Sequence, residues 1–237
     1  KLKMNHVCWS EGNSSGEMKQ KIVEFSLENW SSMNLKEILP EELQDDYWKS
    51  EAETVASDFR KVAQPKLVYR LFPQWTGTTD TLLLDGRRLH GGRRMSALLE
   101  KADFLAVVVA TLGEGVMALY KQYDKEGDLI KAYLCDAFVN YQMDLMIKTW
   151  RESFVEMYGV GSTFPLSPGC CDWDLAEQVL LFSLLEPEAI GVRLSESSVM
   201  YPLKSLSAIV GFGKDLPFMK EECLYCGRKN CNYRRVK

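Results

Sequence analysis

The sequence predicts a single α+β domain with a helical N-terminal extension, and three observations support this fold class. Residues Phe104 to Ala110 form an apolar run of strand length. Leu67 to Leu71 alternates as a strand does, and Asp128 to Tyr158 carries apolar residues at helical spacing. No internal repeat or low-complexity linker divides the 237 residues, so a single domain is the simplest organisation.

The N-terminal region is predicted to be largely helical after a polar, loose start that ends near Gln20. From about Lys19 to Arg60 good helix formers predominate, interrupted at Pro40, and apolar residues recur at approximate helical spacing. We therefore divide the chain into a helical extension at 1–64, a central domain at 65–219 and a cysteine-rich basic tail at 220–237.

The first half of the central domain is predicted to alternate strands and helices. Leu82 to Leu84 is followed by Asp85-Gly86, which indicates a strand entering a tight turn. Phe104 to Thr111 is wholly apolar up to its last residue and predicts a buried strand. A helix is predicted over Glu114 to Tyr123, and Gly159 ends the long helix that follows it.

A loop from Thr163 to Asp172 follows the long helix. Asp174 is a good N-cap for a helix over about Leu175 to Leu185. Two further segments are strand-like, Ile190 to Leu194 and Leu206 to Phe212.

Composition excludes several classes of protein. The chain is 46% hydrophobic and 26% charged, which is too apolar for a disordered chain, and no uncharged apolar run is long enough to span a membrane. A net charge of -4 gives no support for a nucleic-acid partner. No leader-like segment opens the sequence, so we expect a cytoplasmic protein. Only two histidines occur, which rules out a multi-histidine metal site.

Three of the seven cysteines lie near the end of the chain in the spacing CxxCxxxxC, and we call Cys223, Cys226 and Cys231 the tail cysteines. Two thiolates separated by two residues can hold one metal, and thiolate ligands select zinc or an iron–sulfur cluster. A closed site needs a fourth ligand, for which the candidates are Cys8, Cys135, Cys170 and Cys171. A redox dithiol and simple free thiols remain alternatives.

Glu196 is a second candidate site residue, in the sequence Ser195-Glu-Ser-Ser198 between two strand-like segments. Its carboxylate either binds a cationic ligand or is a solvated turn residue. No Gly-x-Ser-x-Gly motif accompanies these serines, so the residues do not indicate a catalytic triad.

The segment from Ser167 to Phe212 resembles the activation domain of cobalamin-dependent methionine synthase and its short, stand-alone relatives. The resemblance is carried by Ser-Pro-Gly-x-x-Asp-Trp at 167–173, by Ile-Gly-Val-x-Leu-Ser-Glu-Ser at 190–197, by Met200-x-Pro202 and by Lys204-Ser-Leu-Ser-Ala-Ile209, in that order. Ala110-Thr-Leu-Gly113 is similar to an upstream landmark of the family.

The resemblance implies a curved antiparallel sheet flanked by helices. It also implies binding of S-adenosylmethionine and its presentation to a corrinoid. Neither histidine lies in the family's corrinoid-binding Asp-x-His-x-x-Gly motif, so cobalamin would be carried by a partner, either a corrinoid protein or a cobalamin-dependent methyltransferase. The expected function is reductive reactivation of that corrinoid, with an electron from a flavodoxin-like donor and the methyl group of S-adenosylmethionine.

The resemblance also suggests ligand-binding residues. Ser167, Pro168 and Gly169 are expected to contact the ligand through backbone groups, with Cys170 beside them, and Glu196 and Asp144 to face its ammonium group. The family usually has an Arg and a Tyr where this chain has Pro165 and Cys170. Two other functions stay open: a metal- or iron–sulfur-binding electron-transfer protein that uses the tail cysteines, and a non-catalytic module that binds a corrinoid protein.

Overall fold

A five-stranded antiparallel sheet forms the centre of the protein. This computed structural model describes residues 18–27, 38, 45–170, 172–220 and 224–225. The strands in chain order are β1 (Lys21–Glu24), β2 (Lys66–Phe72), β3 (Thr76–Gly77), β4 (Leu82–Leu84), β5 (Arg87–Leu89), β6 (Phe104–Thr111), β7 (Gly161–Ser162), β8 (Arg193–Leu194), β9 (Met200–Tyr201) and β10 (Ser205–Gly213). The central sheet has the strand order β1-β2-β6-β10-β7.

Helices cover both faces of this sheet. They are α1 (Asp46–Val62), α2 (Gly92–Leu99), α3 (Glu114–Glu126), α4 (Leu129–Tyr158) and α5 (Gln178–Ser183), with short 3-10 turns at Leu175–Glu177 and Pro187–Ile190. The ends of α4 follow from the sequence, because the Asp128 side chain accepts a hydrogen bond from the Lys131 amide and Gly159 adopts a left-handed conformation with φ +62°. The described helices include none with both the length and the apolar character needed to cross a bilayer.

The continuous apolar sequence of β6 is explained by burial of the sheet on both sides. Ala106, Val108 and Ala110 belong to the core that packs against α1, α3 and α4. The alternating residues Val107 and Val109 belong to the second core, which includes residues of α2, α5 and the β4–β5 hairpin. The predicted strand and the mixed α+β class are therefore confirmed.

The N-terminal region corrects one expectation. Residues Lys21–Glu24 lie within the stretch predicted as helical, but they form an edge strand that pairs antiparallel with β2. Pairing with a strand that lies about 40 residues further along the chain overrides the weak local helical spacing. Val23 of this strand and Phe59 of α1 are buried in the same core as the sheet, so these parts of the extension at 1–64 pack on the central domain.

Two further segments differ in detail from their predictions. The helix expected at 175–185 begins as a 3-10 turn and is α-helical only over α5, although Asp174 caps it by accepting a hydrogen bond from the Ala176 amide at 2.9 Å. The strand expected at 190–194 is reduced to β8, because Pro187–Ile190 forms a 3-10 turn closed by Gly191. The β4–β5 turn agrees with the sequence, since Asp85 and Gly86 both have positive φ angles.

A buried arginine holds residues 218 and 219 against the sheet. The Arg151 guanidinium donates to the Ser162 hydroxyl at 3.0 Å and to the Met219 carbonyl at 2.6 Å, and it lies over the Phe218 ring. Burial lowers the pKa of Arg151 to about 10, and the group remains charged at neutral pH. Residues 218 and 219 are thereby fixed beside β7.

Candidate functional site

A cleft of about 620 Å³ opens beside the start of β10, where α4 and the β8–β9 hairpin approach each other. Four parts of the chain line it: α4, the loop after β7, the segment around α5, and the chain from the β8–β9 hairpin into β10. The lining residues are Val139, Asn140, Met143, Asp144, Ser167, Pro168, Leu175, Gln178, Ser198, Val199, Met200, Leu203, Lys204, Ser205, Leu206 and Ser207.

The Ser167–Cys170 segment forms a tight turn at the edge of this cleft. The Cys170 amide donates to the Ser167 carbonyl at 3.1 Å, and Gly169 has φ +88°. Pro at the second position and a left-handed Gly at the third are the residues that a type II turn requires. The turn is anchored to the sheet because Leu166 exchanges two backbone hydrogen bonds with Ile209, at 2.9 and 2.8 Å.

The structure brings together some of the predicted ligand residues and not others. Asp144, Ser167 and Pro168 line the same cleft, although Asp144 comes from α4 and the other two from the loop. Gly169 and Cys170 are exposed and lie outside the lining. Their role in binding stays a prediction.

Glu196 lies at the exposed tip of the β8–β9 hairpin. The hairpin turn is held locally, because the Ser195 hydroxyl accepts from the Val199 amide at 3.0 Å and Ser198 has φ +59°. Ser198 and Val199 line the cleft, whereas Glu196 does not. Binding of a cationic ligand by Glu196 therefore also stays a prediction.

A buried glutamine, which the sequence did not single out as a ligand-site residue, ties three walls of the cleft together. The Gln178 side chain, 3% exposed, donates to the Ser198 carbonyl at 2.9 Å and accepts from the Ser207 hydroxyl at 3.1 Å. These bonds join α5, the hairpin and β10. In the sequence it is a polar residue at the start of the apolar run Gln178-Val-Leu-Leu-Phe, and Glu177-Gln178 also belongs to the ordered motifs of the family resemblance.

Lys204 forms a second polar group at the rim, with two residues of α4. Its Nζ lies 2.6 Å from Asp136 Oδ1 and donates to Asn140 Oδ1 at 3.0 Å. The Asn140 amide donates to the other Asp136 oxygen at 3.2 Å, so the three side chains form a closed triangle. Beneath them, burial raises the pKa of the Cys135 thiol to about 12, the Asp136 carboxylate adds to the rise, and Lys204 opposes it.

A larger cleft of about 800 Å³ lies elsewhere, along β2 and β3. It is lined in part by Arg70, which pairs with Asp85 at 2.9 Å. Of the predicted site residues that the structure describes, none lines this second cleft. We therefore take the smaller cleft as the candidate site.

The tail cysteines, Cys8 and Cys171 lie outside the described residues, so the structure does not test the predicted metal site. Among the residues that are described, no three histidine, cysteine, aspartate or glutamate side chains are grouped as metal ligands. The described Tyr225, which lies between two tail cysteines, packs on Phe164 with ring centroids 5.6 Å apart. Zinc or iron–sulfur binding stays a prediction.

No protein-family model matches the sequence, and no curated protein matches it either. Among solved structures, the chain is similar to a crystal structure of the MetH reactivation domain bound to AdoHcy (S-adenosylhomocysteine). The TM-score is 0.56 at 18% sequence identity, over 85% of this chain and 81% of that chain. This likeness confirms the fold and the structural resemblance expected from the ordered motifs.

Proposed function

We propose that the cleft binds S-adenosylmethionine and that the protein presents its methyl group to a corrinoid carried by a partner. The observation that supports this proposal is the convergence of Asp144 with the Ser167-Pro168 turn on one cleft. The fold around them is similar to that of a domain crystallised with AdoHcy. No step requires this chain to hold cobalamin itself.

The residues of the cleft fit such a ligand. The volume of the cleft lies in the range of small-molecule sites, which combine apolar walls with a few polar groups. Met143, Leu206 and Leu175 provide apolar surface for an adenine ring or a thioether. Asp144 supplies a carboxylate that attracts an ammonium or sulfonium cation. The turn at 167–170 provides backbone groups at the rim.

The protein's contribution to the reaction would be binding and orientation. S-adenosylmethionine supplies an electrophilic methyl group on a sulfonium. On the partner, one electron from a flavodoxin-like donor reduces cob(II)alamin to cob(I)alamin. The methyl carbon–sulfur bond then breaks as the cobalt–carbon bond forms, giving methylcobalamin and S-adenosylhomocysteine. The reduction is unfavourable, and methyl transfer makes it proceed because it consumes the cob(I)alamin that forms. The cleft must therefore hold the methyl group within reach of the cobalt.

The surface around the cleft supports docking of a partner. Leu175, Val199 and Leu203 line the cleft and are nevertheless exposed, and Val179 and Tyr201 beside them are exposed too. Large apolar side chains grouped on a surface are typical of interaction sites. A corrinoid protein or methyltransferase that covers this rim would bring its cofactor to the mouth of the cleft.

Isothermal titration calorimetry tests the ligand. We expect one equivalent of S-adenosylmethionine or S-adenosylhomocysteine to bind, and Asp144→Asn to weaken binding about tenfold through loss of a charged contact. Asp124→Asn, on the exposed end of α3, is the matched control and should bind as the unchanged protein does. Absence of binding by the unchanged protein would overturn the proposal and favour the non-catalytic binding module.

A methyl-transfer assay tests the reaction. The protein is mixed with a cobalamin-dependent methyltransferase whose corrinoid is in the cob(II) state, a one-electron donor and methyl-labelled S-adenosylmethionine. Label should reach the corrinoid only when this protein is present. Binding of S-adenosylmethionine without transfer to any such partner would contradict the reactivation role while leaving the ligand site intact.

A further inference from the structure

We propose that Lys204 binds the α-carboxylate of the ligand, so that Lys204 and Asp144 together recognise the zwitterionic amino-acid end of S-adenosylmethionine or S-adenosylhomocysteine. This inference rests on the proposed function, since it assigns a role within the same cleft. It identifies a specificity-determining residue. A nucleoside without the amino-acid end would not use it.

The inference rests first on the two charged side chains that line the cleft. Among the described residues that line it, Lys204 and Asp144 are the two with charged side chains, and they have opposite signs. An amino acid carries an ammonium and a carboxylate on the same carbon. A cleft that holds one cation and one anion complements both groups, whereas either charge alone would complement only half of the zwitterion.

Lys204 also contacts α4 close to the position of Asp144 on this helix. The Lys204 ammonium is bound to Asn140 Oδ1 at 3.0 Å, and Asn140 precedes Asp144 by four residues on α4. Side chains four apart on a helix are neighbours, with Cβ atoms about 5 to 6 Å apart. Lys204 therefore contacts α4 about one helical turn before Asp144, so both charged residues belong to the same part of the cleft wall.

Lys204 is held in place and retains hydrogen-bonding capacity. An ammonium has three N–H donors, and described residues use two of them, through Asp136 Oδ1 at 2.6 Å and Asn140 Oδ1 at 3.0 Å. The third donor is the one that we assign to the ligand carboxylate. Because Asp136 and Asn140 already fix the flexible lysine side chain, less conformational entropy is lost when the ligand binds. Asp136 and Asn140 are positioning residues in this account.

A purely structural ion pair is the alternative role for Lys204. Its side chain is 28% exposed and that of Asp136 44% exposed, and such pairs contribute little to stability because water screens them. Removal of the ammonium should therefore leave the fold intact, which allows ligand binding to be measured on a folded variant.

The test compares three ligands on Lys204→Met by calorimetry. S-adenosylhomocysteine has both groups of the amino acid, decarboxylated S-adenosylmethionine lacks the carboxylate, and 5′-methylthioadenosine lacks the whole amino-acid end. We expect the affinity for S-adenosylhomocysteine to fall about 10- to 100-fold, the range for a lost hydrogen bond between charged groups. Affinities for the other two ligands should not change. Lys204→Arg should restore part of the loss, and Lys121→Met, an exposed lysine on α3, should have no effect.

Two results would overturn the inference while leaving the proposed function standing. One is equal affinity of Lys204→Met and the unchanged protein for S-adenosylhomocysteine. The other is an equal loss of affinity for all three ligands, which would show that Lys204 shapes the cleft without contacting the carboxylate. If the unchanged protein binds none of the three ligands, the proposed function and this inference fail together.

Discussion

Replacement of the buried Gln178 by leucine should lower both the stability of the protein and its affinity for the ligand. Leucine nearly preserves the volume but removes the hydrogen bonds to the Ser198 carbonyl and from the Ser207 hydroxyl. Each such bond contributes about 1 kcal/mol net, and a buried group left without a partner costs about 1 to 3 kcal/mol. Ser207 is 2% exposed, so water does not readily replace the lost partner. We expect Gln178→Leu to lower the free energy of unfolding by about 2 kcal/mol.

Binding should weaken as well, because Gln178 holds the hairpin wall against β10. We expect about a tenfold loss of affinity for S-adenosylhomocysteine, equivalent to about 1.4 kcal/mol. Urea denaturation gives the stability and calorimetry the affinity. Gln122→Leu, at an exposed position on α3, is the matched control and should change unfolding by less than about 0.5 kcal/mol. Unchanged stability of Gln178→Leu, or unchanged affinity despite lower stability, would refute this reasoning.

Three further outcomes are expected. In Gly161→Ala the new Cβ would lie 1.7 Å from the Leu216 carbonyl oxygen, so urea denaturation should show a loss of about 3 kcal/mol; Gly127→Ala, with φ +73° and open space, should lose only about 1 kcal/mol. The raised pKa of Cys135, from 9.0 to about 12, means that the unfolded chain releases this proton first, so stability should fall between pH 9 and 12. Cys135→Ala should reduce that fall by about 1 kcal/mol at pH 10, and an identical pH dependence in both proteins would contradict the assignment. Anaerobic purification with metal and sulfide analysis should find zinc or an iron–sulfur cluster if the tail cysteines bind one, whereas a metal-free protein with freely titratable thiols would exclude it.

The elements that local sequence predicts are those whose environment is uniform along their length. β6 is buried on both faces, so every position before Thr111 is apolar and the strand is evident. The long helix α4 carries its own boundaries in Asp128 and Gly159. By contrast, β1 is a strand because β2 pairs with it, and no pattern within Lys21–Glu24 records a partner that lies about 40 residues away.

The same distinction applies to the cleft. The turn at Ser167–Cys170 is specified locally by Pro168 and Gly169, so its position could be found from the sequence. Gln178 and Lys204 could not be found in that way, because their partners come from other elements. Gln178 meets a hairpin carbonyl and a β10 hydroxyl. Lys204 meets α4 at residues more than 60 positions earlier in the chain. Only the folded chain brings these groups together.

The location of bound ligand is the most direct test of the central claim, and methionine methyl groups report it. Met143 and Met200 line the cleft, whereas Met95 on α2 and Met157 near the end of α4 do not. In a protein labelled with ¹³C at the methionine methyls, titration with S-adenosylhomocysteine should shift the NMR signals of Met143 and Met200 and leave those of Met95 and Met157 in place. Saturable binding that shifts only signals remote from the cleft, or no shift at any ligand concentration, would contradict the account.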